Sequence, residues 1–466
     1  MENISKKIVR IISQNINYNW DIPFNFSDIH KSIGTGFFIN KKGHIITCSH
    51  VVENAKEVFV QLPETGKKKF KAIILGICPH FDLAILQIKD YNTKYYLELG
   101  NSDKINFGDE SFAIGFPLGQ DNLKITKGII SGKEHGHFQT DTAINPGNSG
   151  GPLIINNKVI GINASGIDHK KNRIIQNVGY AVPINSLNLF KDDILKRKQV
   201  LIKRPEFGIL FTYLNDDYLE LVDSKCNNGV LIHHVIKNSE IYKTGIKKGD
   251  ILCSINNINI DNQGMTDKMW FKDKMALDEI IIKLKNNENV KIEFFSKNKK
   301  LTKHFKFSLF DNPIKTLYPL YEKIEYIIVG GLILMNLTEN LIKSILLTNE
   351  SFNTKYVLKY QDIKNRDKPI IVISDILPNS IIDNINVLNK YDILTKVNDK
   401  KVSSIKSLKT ALSKPIIKNK KKFLKFVCES DGEIVIDLKK VLDQEVSNAN
   451  IYKYDIDKTI LKLYSK

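Results

Sequence analysis

Thr140-Asp141-Thr142-Ala143-Ile144-Asn145-Pro146-Gly147-Asn148-Ser149-Gly150-Gly151-Pro152 is the stretch on which the reading of this chain turns. A serine stands between Gly147 and the pair Gly150-Gly151, with a proline at either end of the turn. Glycines let the backbone fold tightly, so that N–H groups can converge beside the Ser149 hydroxyl. A nucleophile with an oxyanion hole needs that arrangement: an exposed Oγ, and donors preset where negative charge will develop. A loop without chemistry can share the same composition. The stretch therefore has to be read with its context.

Two other turns supply the context. His50 follows a β-type run in Thr47-Cys48-Ser49-His50-Val51-Val52, and Asp82 precedes one in His80-Phe81-Asp82-Leu83-Ala84-Ile85-Leu86. A serine hydroxyl is a poor nucleophile near neutral pH. It needs an imidazole to take its proton and a carboxylate to hold that imidazole in one tautomer. From Ile33 to Pro183 short β-type runs alternate with turn residues, as in Gly36-Phe37-Phe38-Ile39, Asn40 to Gly43, then His44 to Cys48. Many short strands without long helical patterns predict an all-β segment of two small barrels.

Composition bounds the rest. The 466 residues predict about three domains, at roughly 150 residues each. The net charge of +18 raises nucleic acid as a partner. The lysines are nevertheless scattered, with runs only at Lys67 to Lys69, Lys297 to Lys300 and Lys418 to Lys422. Such short runs read as solvated faces, and no nucleic-acid partner is expected. Five cysteines (Cys48, Cys78, Cys226, Cys253 and Cys428) form no CxxC pair, which argues against a disulfide framework or a structural zinc site. A reducing, cytoplasmic compartment is the resulting expectation. No run reaches the ~18 apolar residues of a membrane span. The stretch Met1 to Asn15 reads as a short amphipathic helix, with a mitochondrial presequence as the second reading, rather than a signal peptide. His135 and His137 lack acidic or cysteine partners at ligand spacing, so neither metal nor cofactor is expected.

The blocks GTGFFINKKGHIITCSHVV, FDLAILQI, FAIGFPLG, TDTAINPGNSGGPLIINNKVIGIN and QNVGYAVPI resemble, in order, the HtrA/Deg family of ATP-independent serine proteases. The resemblance implies a chymotrypsin-like double β-barrel in which His50 is the general base, Asp82 its orienter and Ser149 the nucleophile. It assigns the oxyanion hole to the N–H groups of Gly147 and Ser149, with that of Asn148 close by. It borders the specificity pocket with Ala143, Ile144, Tyr180 and Val182. No carboxylate stands at Ala143, so cleavage after small or medium aliphatic residues is expected, in segments that unfolded proteins expose. Asp141 is read as structural. The resemblance also implies a resting state in which loops at Gly147 and Gly179 must order the hole.

Beyond the barrels, Phe207-Gly208-Ile209-Leu210, Asn228 to Ile232 and Ile246 to Asn256 resemble a PDZ domain. The loop at Phe207-Gly208-Ile209 would meet a peptide carboxylate while the peptide, by its C-terminus or an internal strand, extends the sheet. A weak repeat follows. Gly249-Asp250-Ile251-Leu252 returns as Tyr391-Asp392-Ile393-Leu394, and Gly330-Gly331-Leu332-Ile333 takes the place of the carboxylate loop. This third segment resembles the second PDZ domain of plant-type Deg proteases. Tyr391, where a glycine is expected, predicts a different turn.

The expected organisation is therefore mainly β: an N-terminal segment 1–30, a protease domain 31–195, a PDZ domain 205–310, a PDZ-like domain 318–440 and a polar extension 441–466. Trp20, Pro23 and Phe24 would serve as trimer contacts or pack on their own barrel, with a homo-oligomer of three subunits or a multiple expected. The implied activity is degradation of unfolded protein. The rival reading is a non-catalytic chaperone or peptide-binding scaffold built from the same domains.

Overall fold

β-branched runs punctuated by turns close into two barrels in this computed structural model, which describes residues 3–26, 28–164, 167–168, 173–174, 178–221, 228–270, 273–348 and 354–464. The chain divides into two units, Met1–Ile16 with Ile29–Phe310, and Asn17–Asp28 with Asp311–Lys466. In the first unit, strands β1 (Ile8–Asn15), β2 (His30–Phe38), β3 (His44–Thr47), β4 (Ala55–Gln61), β5 (Lys69–Cys78) and β6 (Leu83–Ile88) close in the order β1-β2-β3-β6-β5-β4. A short helix, α1 (Ser49–Val52), follows β3. The second barrel comprises β7 (Glu110–Gly115), β8 (Lys124–Glu134), β9 (His137–Thr140), β10 (Pro152–Ile155), β11 (Lys158–Ala164) and β12 (Gly179–Pro183), closed in the order β10-β11-β12-β9-β8-β7.

The N-terminal helix expected from the sequence does not form. β1 pairs antiparallel with β2 and β4 and completes the first barrel. Ile8, Val9, Ile11 and Ile12 are all buried, and so is Arg10, whose guanidinium bonds the side chains of Gln61 and Asp121 and the carbonyl of Gly119. β-branched side chains suit a pleated, buried surface better than a helix. The apparently polar face of the presumed helix is thus an internally paired arginine.

The same unit continues with β13 (Ile209–Thr212), β14 (Val230–Val235), β15 (Ile251–Ile255), α2 (Leu277–Lys283), β16 (Glu288–Ser296) and β17 (Lys299–Phe307). These strands form one sheet in the order β13-β14-β15-β16-β17, with β13 at an edge, over a core that includes Phe207, Ile232, Leu252, Phe294 and Phe305. Cys226 lies outside the described residues.

The second unit carries the repeat: β18 (Tyr326–Val329), β19 (Leu332–Asn336), α3 (Glu339–Thr348), β20 (Ile371–Ile376), β21 (Ile393–Val397), α4 (Ile405–Leu412), β22 (Ile416–Lys418), β23 (Lys421–Cys428), β24 (Glu433–Asp437), α5 (Leu438–Tyr452) and α6 (Lys458–Tyr464). The turn at Tyr391 proves to be the same as the one at Gly249. In the first module Gly249 N–H donates to Ile232 O at 2.9 Å, and Lys247 N–H to Asp250 Oδ2 at 3.0 Å. In the second, Tyr391 N–H donates to Ile373 O at 2.7 Å, and Asn389 N–H to Asp392 Oδ2 at 2.9 Å. The backbone φ is +90° at Gly249 and +70° at Tyr391, so the tyrosine accepts the left-handed conformation rather than changing the turn.

Two further expectations are corrected here. Trp20 and Phe24 do not pack on their own barrel; with Ile22 they join apolar clusters with Met335, Val372 and Ile333 of the second unit. The extension 441–466 is no appendage. Val441 and Leu442 of α5 and Ile460 and Leu463 of α6 belong to the same core as Leu424 and Phe426. Their spacing is that of helix faces turned inward, masked in the sequence by interleaved Lys, Asp and Asn. Ile460 is fully buried, so Ile460→Ala should destabilise the second unit by about 2–5 kcal/mol in a denaturant titration. An unchanged midpoint would return these helices to the status of a tail.

Candidate active site

Asp82 makes the decisive contact. It sits just before β6 at φ +52°, a conformation rarely adopted by residues other than glycine and commonest at functional turns. From there its carboxylate reaches His50 twice: Oδ2 lies 2.7 Å from His50 Nδ1, and Oδ1 accepts the His50 backbone N–H at 2.9 Å. Its carbonyl accepts the Ser49 N–H at 3.0 Å. The first N–H groups of α1 have no partners within the helix. One aspartate from a neighbouring strand satisfies two of them and orients the ring as well.

Burial disfavours a charged imidazole and by itself lowers the His50 pKa. The Asp82 hydrogen bond and charge, with help from Glu53, outweigh it, and the value ends above that of an ordinary histidine. A pKa raised on folding adds stability that is fully present below the unfolded value of ~6.5 and is lost as pH rises through the folded one.

Ser149 belongs to the second barrel and is held to the first by Thr35 on β2. The Thr35 N–H donates to Ser149 O at 2.9 Å, and its hydroxyl donates to Gly147 O at 2.6 Å. Gly150, at φ +86°, passes so close to Thr35 O and the Thr47 hydroxyl that a Cβ would overlap both. The seam thus sets Ser149 beside the strand end that carries α1 and His50. Among the described residues no hydrogen bond joins Ser149 to His50 directly.

The turn before the serine is closed by Asn148 N–H donating to Asn145 O at 2.9 Å, with Pro146 second and Gly147, at φ +99°, third. That is the signature of a type II turn. Asn148 therefore does not offer its N–H to a ligand, which corrects the expectation for it. The N–H groups of Gly147 and Ser149 make no hydrogen bond among the described residues. The Pro-Gly pair was a readable signal for this closure.

The four pocket positions divide in two. Ile144 and Val182 are buried, Ile144 within the core of the second barrel against Gly179, whereas Ala143 and Tyr180 reach solvent. Asp141 accepts the Ile129 N–H at 2.7 Å through Oδ1, a structural task.

Sequence reasoning missed Thr35, Cys48 and Asn163. The buried Cys48 thiol donates to Asn163 O at 3.3 Å, and the same carbonyl accepts the Gly150 N–H at 2.8 Å, so this link also ties the His50 side to the Ser149 side. No local signal marks it, because the partners lie 115 positions apart. Ligand atoms of Cys48, His50 and Asp82 lie within 4.8 Å of one another. Burial, and then the Asp82 charge, hold the thiol well above its usual pKa, and a neutral thiol is a poor metal ligand. The cluster reads as the surroundings of the His50–Asp82 pair.

Two closed six-stranded barrels with this seam define a trypsin-like peptidase fold. The trypsin-like peptidase domain family matches residues 34–162, and the PDZ domain family matches residues 318–459. The probable periplasmic serine endoprotease DegP-like of Chlamydia pneumoniae is 34% identical over 242 residues, 50% of this chain and 48% of that protein. The periplasmic serine endoprotease DegP of Escherichia coli (strain K12) is 34% identical over 236 residues, 48% of each. The DegP-like protein of Rickettsia prowazekii (strain Madrid E) is 28% identical over 439 residues, 90% of this chain and 79% of that protein. The solved HtrA-type protease AlgW with decapeptide superposes with a TM-score of 0.51 at 22% identity, over 66% of this chain and 97% of that one, and supports the fold. The chain spans about half the length of the first of these relatives. Its trypsin-like peptidase and PDZ domains make it similar to the DegP-type serine endoproteases.

The cytoplasmic compartment expected from cysteine usage does not stand, because these relatives are named periplasmic. A low cysteine count reports that a fold does without disulfides, and such folds occur on either side of a membrane. Among the described residues no helix is long and apolar enough to cross one. By NMR, His50 should titrate above ~6.5 and move down in Asp82→Asn; an ordinary titration unaffected by Asp82 would contradict the pairing.

Proposed function

We propose that this chain is an ATP-independent serine endopeptidase acting on unfolded protein. The observation that carries the proposal is the doubly bonded His50–Asp82 pair, set across the Thr35 seam from a serine on a glycine-rich turn. Ser149 Oγ attacks the scissile carbonyl as His50 Nε2 accepts its proton. Asp82 fixes the Nδ1–H tautomer and stabilises the imidazolium, and the negative oxygen meets the N–H groups of Gly147 and Ser149. The missing Ser149–His50 hydrogen bond fits a resting state that tightens when substrate binds. Ala143 and Tyr180, the two assigned pocket positions that reach solvent, carry no charge and favour small or medium aliphatic side chains before the cut.

Peptide capture belongs to the first PDZ-like module in this proposal. Gly208, at φ +87°, turns against Ser239 and leads through Ile209 and Leu210 into β13, the edge strand. Phe207 lies beneath it, packed on Phe305 and Phe307, and belongs to the core rather than to a pocket wall. An incoming strand can pair with such an edge. The family resemblance carries the expectation of a trimer or a multiple of one, which native mass measurement tests.

Ser149→Ala should lower turnover of a casein-type substrate on the order of 10⁶-fold. Asp82→Asn should lower it about 10⁴-fold. Because the neutral imidazole is the base, the wild-type rate should fall on the acid side through the raised His50 pKa. Equal substrate loss with native protein and Ser149→Ala would end the assignment.

A further inference from the structure

Tyr391 places a bulky side chain at a φ of +70°, a backbone region that costs strain unless the surroundings impose it. The surroundings that do so come from the far end of the sequence. Tyr391 OH donates to Asp21 Oδ1 at 3.1 Å, Lys390 Nζ donates to Asp21 Oδ2 at 3.1 Å, and Ser374 Oγ donates to Asp21 O at 2.8 Å. On either side of this clamp Trp20 joins the cluster of Met335 and Val372, and the Phe24 ring lies 5.4 Å from that of Tyr454. Along β19 alternate residues point to opposite faces. Leu332 and Leu334 face the core shared with α4, α5 and α6, whereas Ile333 and Met335 face the clusters holding Trp20, Ile22 and Phe24. The stretch Trp20 to Phe24 therefore covers one face of a sheet that is apolar on both.

The edge where a PDZ-like module would add a peptide strand is already filled. The strand following Gly330-Gly331 is β19, bonded to β20 on one side and to β18 on the other, with Val329 opposite Leu332 and Ile328 opposite Ile333. The Gly330 N–H, where a peptide carboxylate would be received, donates to Glu445 Oε2 at 3.0 Å. Glu445 is fully buried on α5, and its other oxygen accepts the Tyr454 hydroxyl at 2.8 Å. In the first module β13 has, among the described residues, a strand partner on one side only.

We infer that residues 17–26 are the resident ligand of the second PDZ-like module, docked behind its peptide edge, and that β18 and Glu445 close that edge to peptide ends. The contrast with the first module rests on its proposed role in peptide capture; the docking does not. In the chain this segment lies between β1 and β2.

Hydrogen exchange on the full-length Ser149→Ala protein tests this. Asp21→Ala in that background should speed exchange of residues 326–335 and 371–376 about tenfold or more, and a synthetic peptide of residues 17–26 should slow it again. Unchanged exchange, or no rescue by the peptide, overturns the docking. A photo-crosslinker at Phe24 should join to the same chain; a chain-to-chain band would give the ligand role to a second copy and overturn the assignment within one chain. A peptide with a free apolar C-terminus should leave residues 326–335 unprotected, and protection there overturns the closed edge. The same peptide should protect residues 207–212. Failure there would sink capture by the first module and leave the docking standing.

Discussion

The active-site reading depends on a seam between two barrels, and the seam depends on Thr35. Its N–H and hydroxyl take the carbonyls of Ser149 and Gly147, so a turn of the second barrel is fastened to a strand of the first. Thr35 is fully buried, and buried backbone carbonyls left without donors are costly. Any slip of one barrel against the other would break both bonds, along with the Cys48 hydrogen bond to Asn163 O. The placement that the proposed three-residue mechanism calls on therefore rests on the packing of the fold. Asp82 adds the second constraint. Its left-handed backbone and two occupied oxygens leave His50 few orientations.

Much of this was legible in the sequence, for physical reasons that differ by element. Ser149, His50 and Asp82 each stand in a turn with its own local chemistry, and the barrel strands announce themselves by short β-branched runs. β1 was misread because Lys6, Lys7 and Arg10 among isoleucines imitate an amphipathic helix. Only the closed barrel shows that Arg10 is satisfied inside. The commitment of the Asn148 N–H was available in the Pro146-Gly147 pair and was overlooked. Thr35, Cys48 and Asn163 were beyond reach, since each acts through a partner distant in the chain.

The two PDZ-like modules show how a repeat can keep its frame and change its use. Asp250 and Asp392 fasten the same turn with the same bonds, across a glycine in one and a tyrosine in the other. The first keeps an edge strand open. The second has both sides of the corresponding strand paired, a buried glutamate on its glycine turn, and two C-terminal helices in its core. Tyr391 holds the shared turn at φ +70°, and Asp21 is the residue bonded there.

The most direct measurement of the central claim is covalent labelling with a fluorophosphonate, followed by mass spectrometry of the adduct. The account predicts a single phosphonylated serine, Ser149, with labelling lost in His50→Ala and greatly slowed in Asp82→Asn. Adducts absent from Ser149 under conditions that bind unfolded substrate, or labelling indifferent to His50, would contradict it.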